Sequence, residues 1–79
     1  MNYPEAPSLV IGKAGVTPAV ILELQSQLKK RRVIKIRVLR TAAIGEGSER
    51  KNFFHSLAAD IGAEVLEITG RTAVLRKTR

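Results

Sequence analysis

The architecture of this protein follows from one segment, "SLVIGKAGVTPAVILELQSQLKKRRVIKIRVLR", which spans residues 8–40. Its first four residues are mainly apolar, are long enough for a short buried strand and stop at Gly12. Thr17 and Pro18 then predict a helix start, because a hydroxyl side chain can cap the first turn and proline at the first helical position has no N–H to lose. The segment thus opens with a strand, a loop and a helix.

Apolar residues recur along one face of the predicted helix, as expected of a helix packed on one side. They are Val20, Ile21, Leu24 and Leu28. Residues 33–40 then alternate, with Ile34, Ile36 and Val38 on one face and basic residues on the other, which indicates a half-buried strand. A strand–helix–strand unit of this length requires a parallel crossover connection.

The C-terminal half repeats these signals. Residues 41–47 predict a loop, and Ser48 is predicted to cap a second helix that ends at Gly62. Its apolar stripe consists of Phe54, Leu57, Ala58 and Ile61. Residues 64–69 and 72–77 then form two strand-like runs joined at Gly70 and Arg71, which predicts a hairpin.

The predicted fold is an α/β two-layer sandwich with the order β-α-β-α-β-β. It has a four-stranded mixed sheet with both helices on one face. Residues 1–7, which contain two prolines, are predicted to form an extended N-terminal arm, and residues 8–79 a single domain. Simple alternation along the third strand places Glu64 and Glu67 on opposite faces, so no carboxylate pair is expected there.

Charge is the strongest signal in the composition. The 79 residues include 14 Lys or Arg and 7 Asp or Glu, a net charge of +7, and such a surface attracts phosphate backbones. There is no cysteine, one histidine and no apolar run long enough to cross a bilayer. We therefore expect a cytoplasmic protein with no metal site, no cofactor and no membrane partner.

The first loop contains two glycines three positions apart, Gly12 and Gly15, with Lys13 and Ala14 between them. Glycine permits close backbone approach, and free N–H groups near a helix start favour an anion. The loop lacks the spacing of a P-loop or of a dinucleotide fingerprint. Alone, such a loop is more often a structural turn; before a helix in a strongly basic chain, it resembles the loop with which KH domains clamp single-stranded nucleic acid.

Three blocks, taken together and in order, resemble the CRM family, named for chloroplast RNA splicing and ribosome maturation, whose bacterial single-domain members are YhbY-like. The blocks are "GKAGVT" (12–17), "VIKIRV" (33–38) and "GRTAVL" (70–75). The resemblance covers residues 8–77 and implies a fold similar to the C-terminal domain of translation initiation factor three. It also implies RNA binding through the GxxG loop, as in relatives linked to large-subunit ribosome precursors or to group II intron splicing.

The chain departs from the family pattern at both ends. Family members commonly begin with a basic helix, for which residues 1–7 are too short and too rich in proline. Near the C-terminus, where the family often has a tyrosine followed by a basic residue, this chain has Arg76 and Lys77. The loss of a stacking aromatic favours backbone contacts over base contacts.

The predicted RNA-binding residues are the GKAG loop and the basic side chains placed on the sheet, the first helix and the hairpin. They are Gly12, Lys13, Ala14, Gly15, Lys29, Lys30, Arg31, Arg32, Lys35, Arg37 and Arg71. The cluster at 29–32 is equally well explained as a solvated helix end that is stabilised by the helix dipole. The expected partner is structured ribosomal or precursor RNA, bound by a monomer. With no Ser/His/acid set, we predict neither an enzyme nor a small-molecule substrate.

Two alternatives remain open. One is an Alba-like protein that coats DNA or RNA in chromatin, against which the GxxG loop and the proline-started helix argue. The other is a protein-interaction subunit of a ribonucleoprotein, in which case partner binding is insensitive to salt and survives charge reversal at Lys13. Comparison of duplex DNA with RNA distinguishes the first alternative from the CRM interpretation.

Overall fold

The computed structural model describes residues 3–78, so Met1, Asn2 and Arg79, which belong to the predicted arm and tail, lie outside the described residues. The elements are β1 (Leu9–Ile11), α1 (Pro18–Arg31), β2 (Val33–Val38), α2 (Ser48–Ile61), β3 (Ala63–Thr69) and β4 (Thr72–Lys77). The predicted order is confirmed. The largest difference at a boundary is in β2, which ends at Val38 rather than at residue 40.

The four strands form one mixed sheet in the order β1-β2-β4-β3. Strands β1 and β2 pair in parallel, whereas β4 is antiparallel to both β2 and β3. Because β1 and β2 are parallel, they finish side by side, with Ile11 opposite Val38. We call this end of the sheet, where Ile11 and Val38 end their strands, the loop end.

The core lies between one face of the sheet and the two helices. The alternating residues Ile34, Ile36 and Val38 of β2 are at most 1% exposed and belong to the same buried cluster as Leu24 of α1 and Phe54 of α2. Both helices therefore cover the same face, as predicted. The other face, which we call the open face, carries Lys35, Arg37 and, across the β2–β4 pairing, Val74 and Arg76.

The two helices begin differently. Thr17 caps α1 as predicted: its Oγ1 accepts a hydrogen bond from the Val20 N–H (3.2 Å), and Pro18 is the first helical residue. The predicted Ser48 cap of α2 is wrong, because Ser48 is already helical and Gly47 precedes it with no side-chain cap. Gly47 has a φ of 60°, so the chain enters α2 through a backbone turn that glycine adopts easily. Neither helix in residues 3–78 is long and apolar enough to span a membrane.

A β-bulge corrects the prediction for Glu64 and Glu67. The pairing of β3 with β4 shifts between Val65 and Glu67, so Glu64 lies opposite Arg76 and Glu67 opposite Val74. Since Val74 and Arg76 are two residues apart, both glutamates lie on the open face. Glu64 forms a salt bridge with Arg76 there.

The N-terminal segment is attached to β2 and α1 by hydrogen bonds. The Ser8 N–H donates to the Lys35 carbonyl (2.8 Å), and the Ser8 hydroxyl donates to Gln27 Oε1 (2.6 Å). Lys35 Nζ donates to the Glu5 carbonyl (3.1 Å), which places the segment over the open face. The division of the chain at residues 7 and 8 stays a prediction.

Candidate nucleic-acid interface

The GKAG loop is a closed turn. The Gly15 N–H donates to the Gly12 carbonyl (2.9 Å), and Gly15 has a φ of 71°, a conformation in which a side chain is strained. Lys13 and Ala14 form the exposed tip. Among residues 3–78, no acceptor is found for the backbone N–H of either residue. The tip therefore offers two adjacent N–H groups and one ammonium group to a ligand.

The start of α1 contributes fewer donors than a typical helix N-terminus. Pro18 has no N–H, and the Val20 N–H is already bonded to Thr17. The Ile21 N–H donates to the Thr17 carbonyl (3.1 Å), which leaves Ala19 as the donor of the first turn. Anion binding at this loop thus depends on the turn itself more than on the first turn of the helix.

The turn is fixed against the chain that follows β2. The Leu39 N–H donates to the Ile11 carbonyl (2.8 Å), which extends the β1–β2 pairing by one residue. A Cβ atom at Gly12 would lie 3.8 Å from Leu39 Cδ1, an ordinary contact distance. Gly12 therefore tolerates a small side chain, unlike Gly15, and the two glycines are not equivalent.

Arg71, a predicted RNA-binding residue, is held by backbone carbonyls. Its Nε donates to the carbonyl of Val38 (3.0 Å), and its Nη2 donates to those of Leu39 (2.7 Å) and Ala42 (2.7 Å). In return, the Arg71 carbonyl accepts from the Val38 N–H (2.8 Å). Arg71 thus clamps the β3–β4 hairpin to the segment after β2, and its Nη1 is outside these bonds.

Beside this clamp, an open groove of about 950 Å³ lies at the loop end of the sheet. Its basic lining residues are Arg37, Arg40, Arg50 and Arg71, and we call it the arginine groove. Arg37 and Arg71 are among the predicted site residues, whereas sequence reasoning missed Arg40 and Arg50. The structure shows Arg50 half-buried in the first turn of α2. Only Arg40, three residues after Arg37 and two residues beyond the end of β2, had a signal in the sequence.

The other predicted basic residues lie elsewhere. Lys29, Lys30, Arg31 and Arg32 are exposed at the C-terminal end of α1, which begins beside the GKAG loop. A helix of 14 residues is about 21 Å long, so this cluster lies at the opposite end of the molecule from Lys13. The Arg32 carbonyl accepts from the Lys77 N–H (2.7 Å) at the far end of β4, which confirms this placement.

The model of the CRS1/YhbY (CRM) domain matches residues 3–77, nearly the whole chain. This chain belongs to the CRM family. The resemblance inferred from the three sequence blocks is thereby confirmed, and the family is one of RNA-binding proteins. The match extends to residue 3, so it includes most of the N-terminal segment.

A solved structure agrees with the fold. The solution structure of the hypothetical protein SAV1595 from Staphylococcus aureus, described as "a putative RNA binding protein", aligns with a TM-score of 0.75 at 23% sequence identity. The alignment covers 95% of this chain and 74% of that one. No match is found among curated protein sequences. The predicted fold class is confirmed by this likeness and by the order of the elements.

Proposed function

We propose that this CRM-family protein binds the backbone of structured RNA with its GKAG loop as the central contact. The observation that carries the proposal is the exposed tip of the turn, where Lys13 and Ala14 present N–H groups without acceptors in residues 3–78. Backbone N–H groups and an ammonium group are suited to phosphate oxygens, which accept several hydrogen bonds. Membership of an RNA-binding family supports the same conclusion.

The remaining predicted residues have different roles in this proposal. Arg37, exposed on the open face near the loop end, supplies electrostatic attraction close to the turn. Lys35 and the cluster at 29–32 lie farther away and add long-range attraction, which is weakened by salt. Arg71 acts mainly by holding the chain after β2 in place. None of these roles is catalytic.

The RNA in this proposal is a precursor of the large ribosomal subunit, bound in the cytoplasm by a monomer. The ribosomal target rests on the family resemblance alone, and the cytoplasmic location on the composition. An Alba-like preference for duplex DNA and a purely protein-binding role are the two outcomes that would replace it.

The test is a comparison of RNA affinity between the native protein and two loop variants, Gly12→Asp and Lys13→Gln. Gly12 is preferred to Gly15 because its φ is not positive and a Cβ finds room there, so the variant can keep the fold. Lys30→Gln is the matched control, because it removes the same charge from an exposed site at the far end of α1. Circular dichroism checks that each variant is folded.

Three probes are used at two salt concentrations: an RNA hairpin, a single-stranded RNA and a duplex DNA of equal length. We expect RNA to bind more tightly than DNA, and both loop variants to lose affinity while Lys30→Gln keeps most of it. If about five phosphates are contacted, log affinity should fall against log salt with a slope near −3.5 on single strands. Preference for duplex DNA, or equal affinity of folded Gly12→Asp and native protein, would contradict the proposal.

A further inference from the structure

The residues that line the arginine groove carry an excess of positive charge. Its charged lining consists of four arginines (37, 40, 50 and 71) and one carboxylate, Glu46, a net charge of +3. No salt bridge to any of these arginines is formed within residues 3–78, where the ion pair of Arg76 with Glu64 lies elsewhere on the open face. The groove thus gathers four positive charges that the single carboxylate does not balance, which is unfavourable unless an anion binds there.

Arg50 provides a second, independent observation. Its Nε is buried, and within the described residues it has no hydrogen-bond acceptor. A buried N–H without an acceptor destabilises the fold, so most such groups in folded proteins have a partner. Arg50 lines the groove, where an incoming oxyanion is the kind of acceptor that a guanidinium group binds best.

The arginine groove and the GKAG loop are adjacent, with Leu39 between them. Leu39 lines the groove, and its side chain also lies beside Gly12 while its N–H is bonded to Ile11. The Nη2 of Arg71 donates to the Leu39 carbonyl, which fixes the backbone at this position. A strand of RNA bound at the tip of the turn would therefore have the groove beside it, on the other side of Leu39.

We propose that the arginine groove is a second anion site, which binds a phosphate group through Arg37, Arg40 and Arg50, and that this group is an RNA backbone phosphate. The RNA half of this inference rests on the proposed function above. The claim that the groove binds a phosphate group is independent of that function, because it follows from the unpaired charges and the buried Nε of Arg50. Arg71 is a positioning residue here, since most of its donors are already bonded to carbonyl groups.

The first measurement is a titration of the native protein, labelled with ¹⁵N-arginine, with inorganic phosphate and then with the RNA hairpin. The Nε–H resonance of Arg50 is the readout, and chloride at equal ionic strength is the control for screening. We expect a saturable shift with phosphate that chloride does not produce, and a shift of the same resonance with RNA. No variant is needed, so this arm does not depend on a mutant folding.

The second measurement compares the RNA affinity of Arg50→Gln with that of Lys51→Gln. Lys51 is the next residue in α2, is exposed and does not line the groove, so the two variants remove the same charge from neighbouring positions. We expect Arg50→Gln to weaken RNA binding about ten-fold relative to Lys51→Gln, the effect of one charge-assisted hydrogen bond. If Arg50→Gln does not fold, Arg50→Lys keeps the charge and still removes the guanidinium.

The outcomes separate this inference from the proposed function. If Lys13→Gln weakens RNA binding but Arg50→Gln behaves like Lys51→Gln and no resonance shifts, the groove proposal is overturned while the loop proposal stands. If phosphate shifts Arg50 but RNA does not, the site takes free phosphate and the RNA half is wrong. If RNA fails to bind at all while phosphate still shifts Arg50, the proposed function fails and the anion site remains.

Discussion

Two basic regions lie at opposite ends of helix α1 and differ in how their charges are held. At the loop end, Lys13 sits on a closed turn, Arg71 is bonded to three carbonyls and Arg50 is half-buried. At the far end, the side chains of residues 29–32 are exposed and form no hydrogen bond within residues 3–78. Arg50 and Arg71 are therefore restricted before any ligand arrives, so less side-chain freedom is lost at these two residues on binding.

The far cluster also has a sufficient explanation without a ligand. Lys29, Lys30 and Arg31 form the last turn of α1, where cations are stabilised by the negative end of the helix dipole. Arg37 and Arg40 have no such explanation, since neither lies at a helix C-terminus. Net charge thus favours attraction of phosphate to this protein, whereas the geometry of the groups is the basis for the proposal of where it is held.

The largest expected effect is on RNA affinity. It is measured with two double variants, each of which removes two positive charges from one end of α1. We expect Lys13→Gln/Arg50→Gln to weaken RNA binding about a hundred-fold, because each residue is proposed to make a charge-assisted contact worth about ten-fold. Lys29→Gln/Lys30→Gln should weaken it only a few-fold through long-range attraction. Affinities for the RNA hairpin and for the single-stranded RNA at two salt concentrations provide the measurement, and the loop-end variant should lose about 1.4 from the salt slope on the single strand.

Equal losses of RNA affinity in the two double variants would remove the distinction between the two ends of α1. Binding would then depend on net charge alone, as expected for a protein that coats nucleic acid without a defined contact. The unfolding midpoint of each variant must be measured as well, so that a loss of affinity is not a loss of folded protein.

The next largest effect is on the free energy of unfolding and concerns two arginines of the β3–β4 hairpin. Arg71→Ala should lower the free energy of unfolding by about 2–3 kcal/mol, because the carbonyls of residues 38, 39 and 42 lose a charged donor. Arg76→Ala should cost less than about 1 kcal/mol, since its salt bridge with Glu64 is largely exposed. Urea denaturation of both variants checks the difference.

Arg71→Lys sharpens this prediction. Lysine keeps the charge but cannot bond three carbonyls in the fork geometry of a guanidinium, so the variant should recover only part of the lost stability. Full recovery would show that the charge of residue 71 matters for stability and its hydrogen bonds do not.

A smaller effect tests the start of α1. Thr17→Ala removes the acceptor of the Val20 N–H and should lower stability by about 1 kcal/mol. RNA affinity should change less than two-fold, because the donors proposed to meet phosphate belong to Lys13 and Ala14. Thr17→Ser is the control, since serine keeps the cap. A large affinity loss in a stable Thr17→Ala protein would place the contact on the helix start instead of the turn.

Local patterns predicted nearly all of the fold. Alternation in β2 and the capping pair Thr17–Pro18 depend on neighbours in the sequence, so their structure follows from it directly. The predicted faces of Glu64 and Glu67 and the predicted Ser48 cap were wrong, because another feature of the backbone overrode the local sequence pattern. A bulge at β3 moved Glu67 to the face of Glu64, and the positive φ of Gly47 replaced the Ser48 cap.

The site was less predictable, because its members are distant in sequence. Arg50 reaches the loop end only through the packing of α2, and a single arginine in a helix carries no signal of that placement. Arg71 follows a hairpin glycine, which marks a turn but does not reveal that its side chain binds the carbonyls after β2. By contrast, the GKAG loop could be proposed from the sequence because its glycines, lysine and helix start are contiguous, and its role in binding stays a prediction.

The smallest expected effect lies at the far end of α1, where Arg32 has a φ of 63°. A non-glycine residue is strained in this conformation, and glycine is not. Arg32→Gly should therefore be more stable than Arg32→Ala by about 0.5–1 kcal/mol, although both lose the same charge. Thermal unfolding of the two variants measures the strain, and their RNA affinities show whether it serves binding. If the far cluster is only a solvated helix end, both variants bind RNA within a few-fold of the native protein. A ten-fold loss in both would mean that the strained backbone holds Arg32 for a contact, and the contrast between the two ends of α1 would no longer stand.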